Sequence, residues 1–472
     1  MEGCEGDQAD CLYNAAVSLK ELGRDLEALA SYGQALDLYR QVEGSQKGQA
    51  RCLCGLGDLE EELGRNEKAL DLFGQAVDLF DQVEGCQEDQ AVCAYNAGHC
   101  LDDLGRGEEA LDCFGRALDL FGQVEGSQGD QADCLGRIGM ANQDLDRDEE
   151  ALDAYRQAVE LFRQVDGTQE KQAGCLFNTA LCMSELGRDE EALDAYQQAV
   201  ELFRQVDGDD EDRANCLYNA ATALVGGERY EEALPLYREA LASYRQVDGS
   251  EARQATCLNN SGVVLETMGR LEEALEDGCQ AARLYRQAGD TGEDYADCLY
   301  NIGNVVLRTE RYEEALGRYD EALTVYGQIE GVQYGQIVSL ENSGVALEEL
   351  GRSEEAVDFY RRAADLCRQV DGAELSLVEC LVRAGNALEE LGRYEEALEA
   401  HREALRTCQQ VGSLVDYEAD CLYNVANMLK ELGRGDQALP LFRQALEAYA
   451  RLEDSEEEQA DCLEAIGAIE AR

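Results

Sequence analysis

Apolar and polar positions alternate along the chain with the spacing of amphipathic helices, and this pattern repeats every 41 residues. The first stretch of each repeat places apolar residues at i, i+3, i+4 and i+7, which predicts one packed helix face. In the first repeat this stripe is Cys11, Leu12, Ala15, Ala16, Leu19 and Leu22. A second stripe follows, made of Ala28, Leu29, Tyr32, Ala35, Leu36 and Tyr39. The pattern therefore predicts two helices in every repeat.

Glycines mark the expected helix ends. Gly23 follows the first helix, where a residue with positive φ commonly ends a helix, and eight of eleven repeats have glycine there. The exceptions are Asp146, Glu228 and Glu310. The second helix is expected to end at Gly44, and in later repeats at Gly85, Gly126, Gly167, Gly208 and Gly249. Pro235 and Pro440 are expected near the start of a second helix, where proline is tolerated.

The 41-residue frame runs along the chain without insertion or deletion. Cysteine recurs on it at Cys11, Cys52, Cys93, Cys134, Cys175, Cys216, Cys257, Cys298, Cys380, Cys421 and Cys462, with Ser339 as the one break. An arginine recurs without exception from Arg24 to Arg434. Aromatic residues recur in the second helix, and Gly278 in their place predicts looser packing. We therefore expect one continuous array over 1–472, with eleven helix-turn-helix repeats at about 4–454 and a terminal helix at 459–472.

The repeat, seen for example at 391–405 and 186–200, resembles the tetratricopeptide repeat. Its characteristic places are occupied by Leu12, Ala15, Ala16, Ala28, Tyr32 and Ala35. The family's tryptophan and its proline after the second helix are missing, and the repeat is longer than the usual length of about 34 residues. In this it looks like the long repeats of kinesin light chains. The resemblance implies an all-α, right-handed superhelical solenoid of antiparallel helix pairs.

The charge of the chain restricts its partners. Asp and Glu number 100 against 40 Lys and Arg, which gives a net charge of −60. Nucleic acid and anionic membranes are excluded as partners, because both are bound through basic patches. We find no signal peptide and no apolar run of about 18 residues, so a soluble cytoplasmic protein is expected. Solubility or a high-salt cytoplasm are alternative reasons for the acidity.

Residues that could carry chemistry are scattered. Equivalent cysteines of successive repeats are expected about 10 Å apart, too far for disulfides or a zinc site, which favours a role as small buried hydrophobes. The two histidines, His99 and His401, lie seven repeats apart. The acidic segment from Asp207 to Asp212 lacks the spacing of a calcium loop. The sequence predicts no enzyme, no metal and no cofactor.

A column of asparagines is the strongest candidate site. It consists of Asn14, Asn96, Asn178, Asn219, Asn260, Asn301, Asn342 and Asn424, with Asn304, Asn386 and Asn427 one turn further along. Gly55, Arg137, Arg383 and Ala465 interrupt it, so the longest stretch runs from Asn178 to Asn342. Asparagine is a poor residue for a helix interior, and its amide can bind a peptide backbone. In the resembling adaptor families a similar ladder binds extended peptides. The alternative is that each amide bonds a neighbouring repeat or has no role.

Acidic residues near the ends of the first helices predict that the partner is positively charged. They are Glu61, Glu62, Asp102, Asp103, Glu348, Glu349, Glu389 and Glu390. A basic peptide would gain association rate from this field. The sequence thus predicts a non-enzymatic scaffold that binds an extended basic peptide in a concave, asparagine-lined groove. Alternatively, the chain is the regulatory or sensor part of a larger signalling system whose catalytic part lies elsewhere.

Overall fold

The computed structural model describes residues 2–206, 210–412, 414–452 and 455–471, with the side chains of 2–4 and 415 outside that description. Within these residues the secondary structure consists of 23 helices and no strands. From Glu2 to Tyr244 the helices are α1 (Glu2–Glu21), α2 (Asp25–Tyr39), α3 (Gln46–Glu62), α4 (Asn66–Phe80), α5 (Gln87–Asp103), α6 (Gly107–Phe121), α7 (Gln128–Gln143), α8 (Asp148–Phe162), α9 (Gln169–Glu185), α10 (Asp189–Phe203), α11 (Asp210–Gly226) and α12 (Tyr230–Tyr244). From Glu251 onward they are α13 (Glu251–Thr267), α14 (Leu271–Ala288), α15 (Glu293–Arg308), α16 (Tyr312–Tyr326), α17 (Gln333–Glu349), α18 (Ser353–Cys367), α19 (Glu374–Glu390), α20 (Tyr394–Val411), α21 (Val415–Glu431), α22 (Gly435–Tyr449) and α23 (Glu456–Glu470).

The chain divides into two compact units, Met1–Ser243 and Tyr244–Arg472. Inside each unit, an odd-numbered first helix packs against the even-numbered second helix that follows it, and successive pairs pack on one another. This confirms the predicted all-α fold of stacked helix pairs. The terminal helix begins at Glu456, three residues before the predicted start at 459, and ends at Glu470, two residues before the predicted end at 472. One continuous array over 1–472 stays a prediction.

The first helices end in the geometry that the glycine pattern predicts. The amide of Gly23 donates to the carbonyl of Lys20 and the amide of Arg24 donates to that of Leu19, both at 2.9 Å. These two bonds are the Schellman motif, and Gly23 has φ +67°. Where glycine is missing, the backbone conformation is kept: Asp146, Glu228 and Glu310 have φ between +56° and +60°. The turn is therefore dictated by the repeat, and these three residues adopt a strained conformation to make it.

Replacing Glu310 by glycine should stabilise the protein. At φ +60° a residue with a side chain is strained by about 1 kcal/mol, and glycine removes this strain. Part of the gain is lost again, because glycine has more conformational freedom in the unfolded chain. We expect a gain of about 0.5 kcal/mol in the free energy of unfolding, measured by urea denaturation. The reciprocal control is Gly351→Glu, at the same place one repeat later with φ +69°, which should destabilise. Equal stability of E310G and wild type would contradict this explanation.

The recurring arginine pairs with a glutamate three residues later. Arg24 donates to both carboxylate oxygens of Glu27, at 2.8 and 2.6 Å. The same bidentate contact recurs in Arg106–Glu109, Arg188–Glu191, Arg229–Glu232, Arg270–Glu273, Arg352–Glu355 and Arg393–Glu396. These pairs are exposed, so solvent screening leaves each with only a small contribution to stability. Their geometry fixes the start of the second helix against the turn.

In several repeats the core forms where a second-helix ring packs onto a glycine of the first helix. The ring of Tyr360 lies where a Cβ on Gly344 would approach to 2.4 Å, and Phe114 stands in the same relation to Gly98 at 2.6 Å. The prediction of looser packing at Gly278 is wrong. Ile302 fills the place of the missing ring, with its Cγ1 only 2.9 Å from where a Cβ on Gly278 would be.

Three further sequence expectations need correction. Ala15 and Leu22 were expected in the packed face but are exposed, because within the described residues α1 packs only on α2 and α3, whereas later first helices also pack on the second helix before them. The second helix ends at Tyr39, and Gly44, with φ +78°, turns the chain five residues later. The two prolines lie sixth in α12 and α22, past the first turn. Gly208 and residues 207 and 209 of the acidic segment lie outside the described residues.

The recurring cysteines are mostly buried thiols, as expected, but two of them, Cys93 and Cys11, depart from this. Cys93 forms a disulfide with Cys54, with Cα atoms 6.4 Å apart. Cys54 lies two residues beyond the recurring position, and this offset brings it within reach of the next repeat. The distance argument against disulfides holds for equivalent positions and is wrong for this pair. Of the free cysteines on the recurring positions, Cys11 is exposed and the others are buried.

Candidate functional site

The asparagine column lies on the first helices, at equivalent positions in successive repeats. Asn14, Asn96, Asn178 and Asn219 lie on α1, α5, α9 and α11, and Asn260, Asn301, Asn342 and Asn424 lie on α13, α15, α17 and α21. Asn304, Asn386 and Asn427 follow one turn later on α15, α19 and α21. Asn14 and Asn386 are exposed and the others are half-buried. We call this side of the first helices, with the acidic pairs near the helix ends, the asparagine face.

Several of these amides donate to the preceding repeat. The Nδ2 of Asn96 lies 2.9 Å from Oδ1 of Asp58, and that of Asn301 lies 3.2 Å from Oδ1 of Asn259. Asn342 donates to Oδ1 of Asn304 at 3.0 Å and to the Tyr300 hydroxyl at 3.2 Å. These contacts are the inter-repeat bonds that the sequence left open as an alternative. They orient the amides and link consecutive first helices.

Other members of the column bond differently. Asn427 donates to Oε1 of Glu389 at 3.1 Å, again across a repeat boundary. Asn219 donates to the backbone carbonyl of Asn215, one turn earlier on its own helix, at 3.0 Å. The amide nitrogen is therefore occupied in these residues too. A ligand on this face would be bound through the amide oxygens or by exchanging one of these bonds.

The interruptions of the column have structural causes in two repeats. At Gly55 a Cβ would lie 2.5 Å from Cζ of Tyr32, so the tyrosine ring occupies the space that an asparagine would need. Arg383 reaches back to Glu341 of the preceding repeat, with 3.7 Å between Nε and Oε1. It thus makes the same kind of inter-repeat contact as the asparagines, with charge in place of an amide.

Half-buried carboxylates lie beside the column. Of the predicted acidic pairs, the inner members Glu61, Asp102, Glu348 and Glu389 are half-buried and the outer members Glu62, Asp103, Glu349 and Glu390 are exposed. Each inner member has a raised pKa, first because burial disfavours the charged form and then because neighbouring carboxylates repel it. The pKa of Asp58 and of Glu341 is raised for the same main reason. The asparagine face therefore carries concentrated negative charge.

Sequence reasoning missed three of the residues that receive the asparagine bonds, although Asn304 and Glu389 were among its candidates. Asp58, Asn259 and Tyr300 lie three residues after or one residue before the column position of their own repeats. Comparing the asparagine position with the polar residues one position before it and three positions after it in the preceding repeat could have found them. Among the described residues, no group of three or more His, Cys, Asp or Glu side chains could hold a metal ion.

The fold and this face define a class, that of helical repeat proteins whose first helices carry a row of polar side chains. Residues 7–82, 90–164, 172–246, 253–328 and 335–410 match one tetratricopeptide repeat description, and residues 419–456 match another. These matches cover most of the chain, and the protein belongs to the tetratricopeptide repeat family. The predicted family is confirmed. Among the described residues, no helix is both long and apolar enough to span a membrane.

Solved structures share the repeat fold at low similarity. BtubC (BKLC) from P. vanneervenii is 17% identical with a TM-score of 0.38, over 51% of this chain and 91% of that one. Repeats of a Podosopora anserina putative kinesin light chain are 15% identical with a TM-score of 0.37, over 42% and 97%. YrrB, a TPR protein with an unusual peptide-binding site, is 21% identical with a TM-score of 0.34, over 45% and 91%. These scores are too low to bear on function. No curated protein matches the chain.

Proposed function

We propose that the protein is a non-enzymatic scaffold that binds an extended, basic peptide along the asparagine face. Its membership of the tetratricopeptide repeat family supports a role in protein–protein interaction. The observation that carries the proposal is the set of half-buried carboxylates with raised pKa beside the asparagine column. Burial is the main cause of the raised pKa and repulsion by neighbouring carboxylates adds to it. A cationic side chain placed there would offset both by stabilising the charged form, and would gain charge-assisted hydrogen bonds in return.

The asparagines supply the part of the interaction that does not depend on peptide side chains. An extended peptide presents backbone N–H and C=O groups along its length, and an amide oxygen can accept from each N–H. In the second unit, α13 contacts α15 and α15 contacts α17, which places Asn260, Asn301 and Asn342 on three adjacent helices. In the first unit, α9 and α11 are in contact and carry Asn178 and Asn219. The inter-repeat bonds of Asn301 and Asn342 hold these two amides in a fixed orientation before binding, which lowers the entropic cost.

The test compares three asparagines with three glutamines in the full-length chain. The variant changes Asn260, Asn301 and Asn342 to alanine. The matched control changes the exposed Gln328, Gln369 and Gln409 of the same unit to alanine, which removes three amides away from the asparagine column. The probes are fluorescein-labelled decapeptides of alternating Lys and Ser, and of alternating Glu and Ser, in a fluorescence anisotropy titration.

We expect the lysine peptide to bind the wild type and the control, and to lose at least tenfold in affinity with the asparagine variant. The glutamate peptide should bind none of them. Circular dichroism must show equal helicity for the three proteins. Unchanged affinity of the asparagine variant, or equal binding of the two peptides, would contradict the proposal.

Binding of the lysine peptide should also depend on salt and pH. Raising salt from 50 to 500 mM should weaken it, because exposed charges are screened within a few ångströms at high ionic strength. Lowering the pH from 7.5 to 5.5 should weaken it as well. The raised pKa of the inner carboxylates means that they take up protons earlier than free Asp and Glu as the pH falls, and the face loses negative charge. Affinity that rises at pH 5.5 would rule out these carboxylates as the binding groups.

A further inference from the structure

Aromatic pairs join the two helices of six repeats. In each, a ring on the first helix, one residue before the asparagine column, packs on the ring of the second helix at 5.6 to 6.0 Å between centroids. The pairs are Tyr13–Tyr32, Tyr95–Phe114, Phe177–Tyr196, Tyr218–Tyr237, Tyr300–Tyr319 and Tyr423–Phe442. Most have edge-to-face or tilted geometry, the arrangements that aromatic rings prefer. The first-helix position is thus a site for an aromatic ring in this fold.

The fourth repeat has glycine in that place. Gly136 lies in the middle of α7, and Tyr155 provides the second-helix ring. Tyr155 is fully buried, yet it has no aromatic partner among the described residues. A Cβ on Gly136 would meet only the Cys175 Sγ, at an ordinary 3.7 Å, so no close contact demands glycine. Glycine in a helix interior costs about 1 kcal/mol relative to alanine, and nothing in the packing compensates for it.

Gly136 lines an open cavity of about 340 Å³ within the first unit. Its apolar walls include Tyr95, Met140, Tyr155, Phe162 and Cys175, and Asn178 of the column lies in its lining. A second space of about 270 Å³ shares Asn178 and Gly174, and a Cβ on Gly174 would meet nothing within 4 Å. Two glycines on adjacent first helices therefore open the asparagine face at this point.

Cationic side chains border the opening in an otherwise acidic chain. Lys171 pairs with Asp133 at 2.7 Å and lies 6.0 Å from the centroid of Phe162. Arg137 is in no ion pair with the described residues; it hydrogen-bonds the side chain of Tyr95 and lies 3.9 Å from the Met140 Sδ. A guanidinium or ammonium group beside an apolar cavity favours an aromatic ring over an aliphatic side chain, because the face of the ring attracts cations.

We propose that this cavity binds an aromatic side chain of the bound peptide. The ring would take the place that the six first-helix rings occupy in their own repeats and would pack against Tyr95 and Met140, which line the cavity, while Asn178 binds the peptide backbone beside it. This inference rests on the proposed function, and it adds an anchor residue to the ligand: an aromatic side chain flanked by basic ones. The remaining repeats contribute charge and backbone contacts, whereas the fourth repeat determines the register of the peptide.

The experiment uses the absence of tryptophan from the chain. Two peptides, acetyl-Lys-Ser-Lys-Ser-Trp-Ser-Lys-Ser-Lys-amide and its Trp→Ala counterpart, are titrated into the full-length protein, with calorimetry for both and tryptophan emission for the first. The filling variant is Gly136→Tyr, which restores the ring that the sister repeats carry, and Gly136→Phe is a second version. The matched control is Gly136→Ala, whose methyl group leaves most of the cavity open.

In the wild type and in G136A we expect the tryptophan peptide to bind at least tenfold more tightly than the alanine peptide, with a blue shift of its emission. In G136Y and G136F the two peptides should bind equally, and both variants should melt at or above the wild-type temperature. Equal binding of the two peptides by the wild type would overturn the inference and leave the proposed function standing. So would a preference for tryptophan that survives in a folded G136Y.

If neither peptide binds the wild type, the proposed function fails, and N-acetyl-tryptophanamide then decides the inference alone. An emission blue shift with wild type that is lost with G136Y supports an aromatic site. No shift with wild type overturns it.

Discussion

Replacing Tyr319 by alanine should cost about 3 to 5 kcal/mol in the free energy of unfolding. The side chain is fully buried and packs on Tyr300 at 6.0 Å between ring centroids. It also fills the space in front of Gly303, where a Cβ would lie 2.5 Å from the ring. Its hydroxyl donates to Oδ1 of Asn304 at 2.9 Å, the same oxygen that accepts from Asn342. The substitution therefore removes core packing and also frees an amide that links two repeats.

The location of the damage distinguishes this explanation from general destabilisation. Each repeat of such a protein contacts only its neighbours, so hydrogen exchange should accelerate first in α15, α16 and α17. Tyr319→Phe keeps the ring and should lose about 1 kcal/mol for the hydroxyl bond. Leu26→Ala, at a side chain that is 76% exposed, should change the stability by less than about 0.5 kcal/mol. A Y319A protein no less stable than L26A in urea denaturation would contradict the packing described for this ring.

Replacing His401 by phenylalanine should stabilise the protein, and more so as the pH falls. His401 occupies the place of the second-helix ring but is fully buried, and neither Nδ1 nor Nε2 has a hydrogen-bond partner in the part of the chain that the structure describes. Phenylalanine fills the same place at Phe114 and Phe442, and removing the unpaired polar atoms should contribute about 1 to 2 kcal/mol at pH 8. Burial lowers the pKa of His401 from 6.5 to about 4.

The sign of the pH effect follows from that pKa. Between pH 6.5 and 4 the unfolded chain protonates this histidine and the folded chain does not, so the unfolded state is favoured as the pH falls. At pH 5.5 the wild type should have lost about 1.4 kcal/mol relative to H401F, the value of one pKa unit. Urea denaturation of both proteins at pH 8 and 5.5 measures the difference, in which the pH effects of the other groups cancel. A difference that shrinks at pH 5.5 would show that His401 is charged in the folded state.

The sequence predicted the frame of the fold well because the frame depends on local rules. Helix pairs, their turns and the small residues in their interfaces recur at fixed spacing, and even the exceptions at Asp146, Glu228 and Glu310 keep the glycine backbone conformation. The features that the sequence could not predict depend on which positions of one repeat meet which positions of the next. The Cys54–Cys93 disulfide needs an offset of two residues between neighbouring helices, and Ile302 replaces a ring that is missing at Gly278.

The candidate site shows the same division. The positions of the asparagines and acidic pairs could be read from one column, but the partners of their amides could not. Asn96 donates to a carboxylate of the preceding repeat, Asn301 to an amide and Asn219 to its own backbone. Identical residues at equivalent positions thus have different surroundings, because the neighbouring columns vary. Which atoms of each amide are free to bind a ligand therefore depends on the residues of two adjacent repeats.

The unbroken 41-residue frame has a consequence for the gene. Removing 123 consecutive nucleotides from within the coding region of one unit deletes 41 residues and joins a helix to the equivalent point of the next repeat. The turn glycines, the arginine–glutamate pairs and the contacts between second-helix rings and small first-helix residues then keep their spacing. Recombination between repeats can therefore shorten or lengthen the array by whole repeats while preserving the geometry of each junction, so the number of positions offered to a peptide can change in single steps.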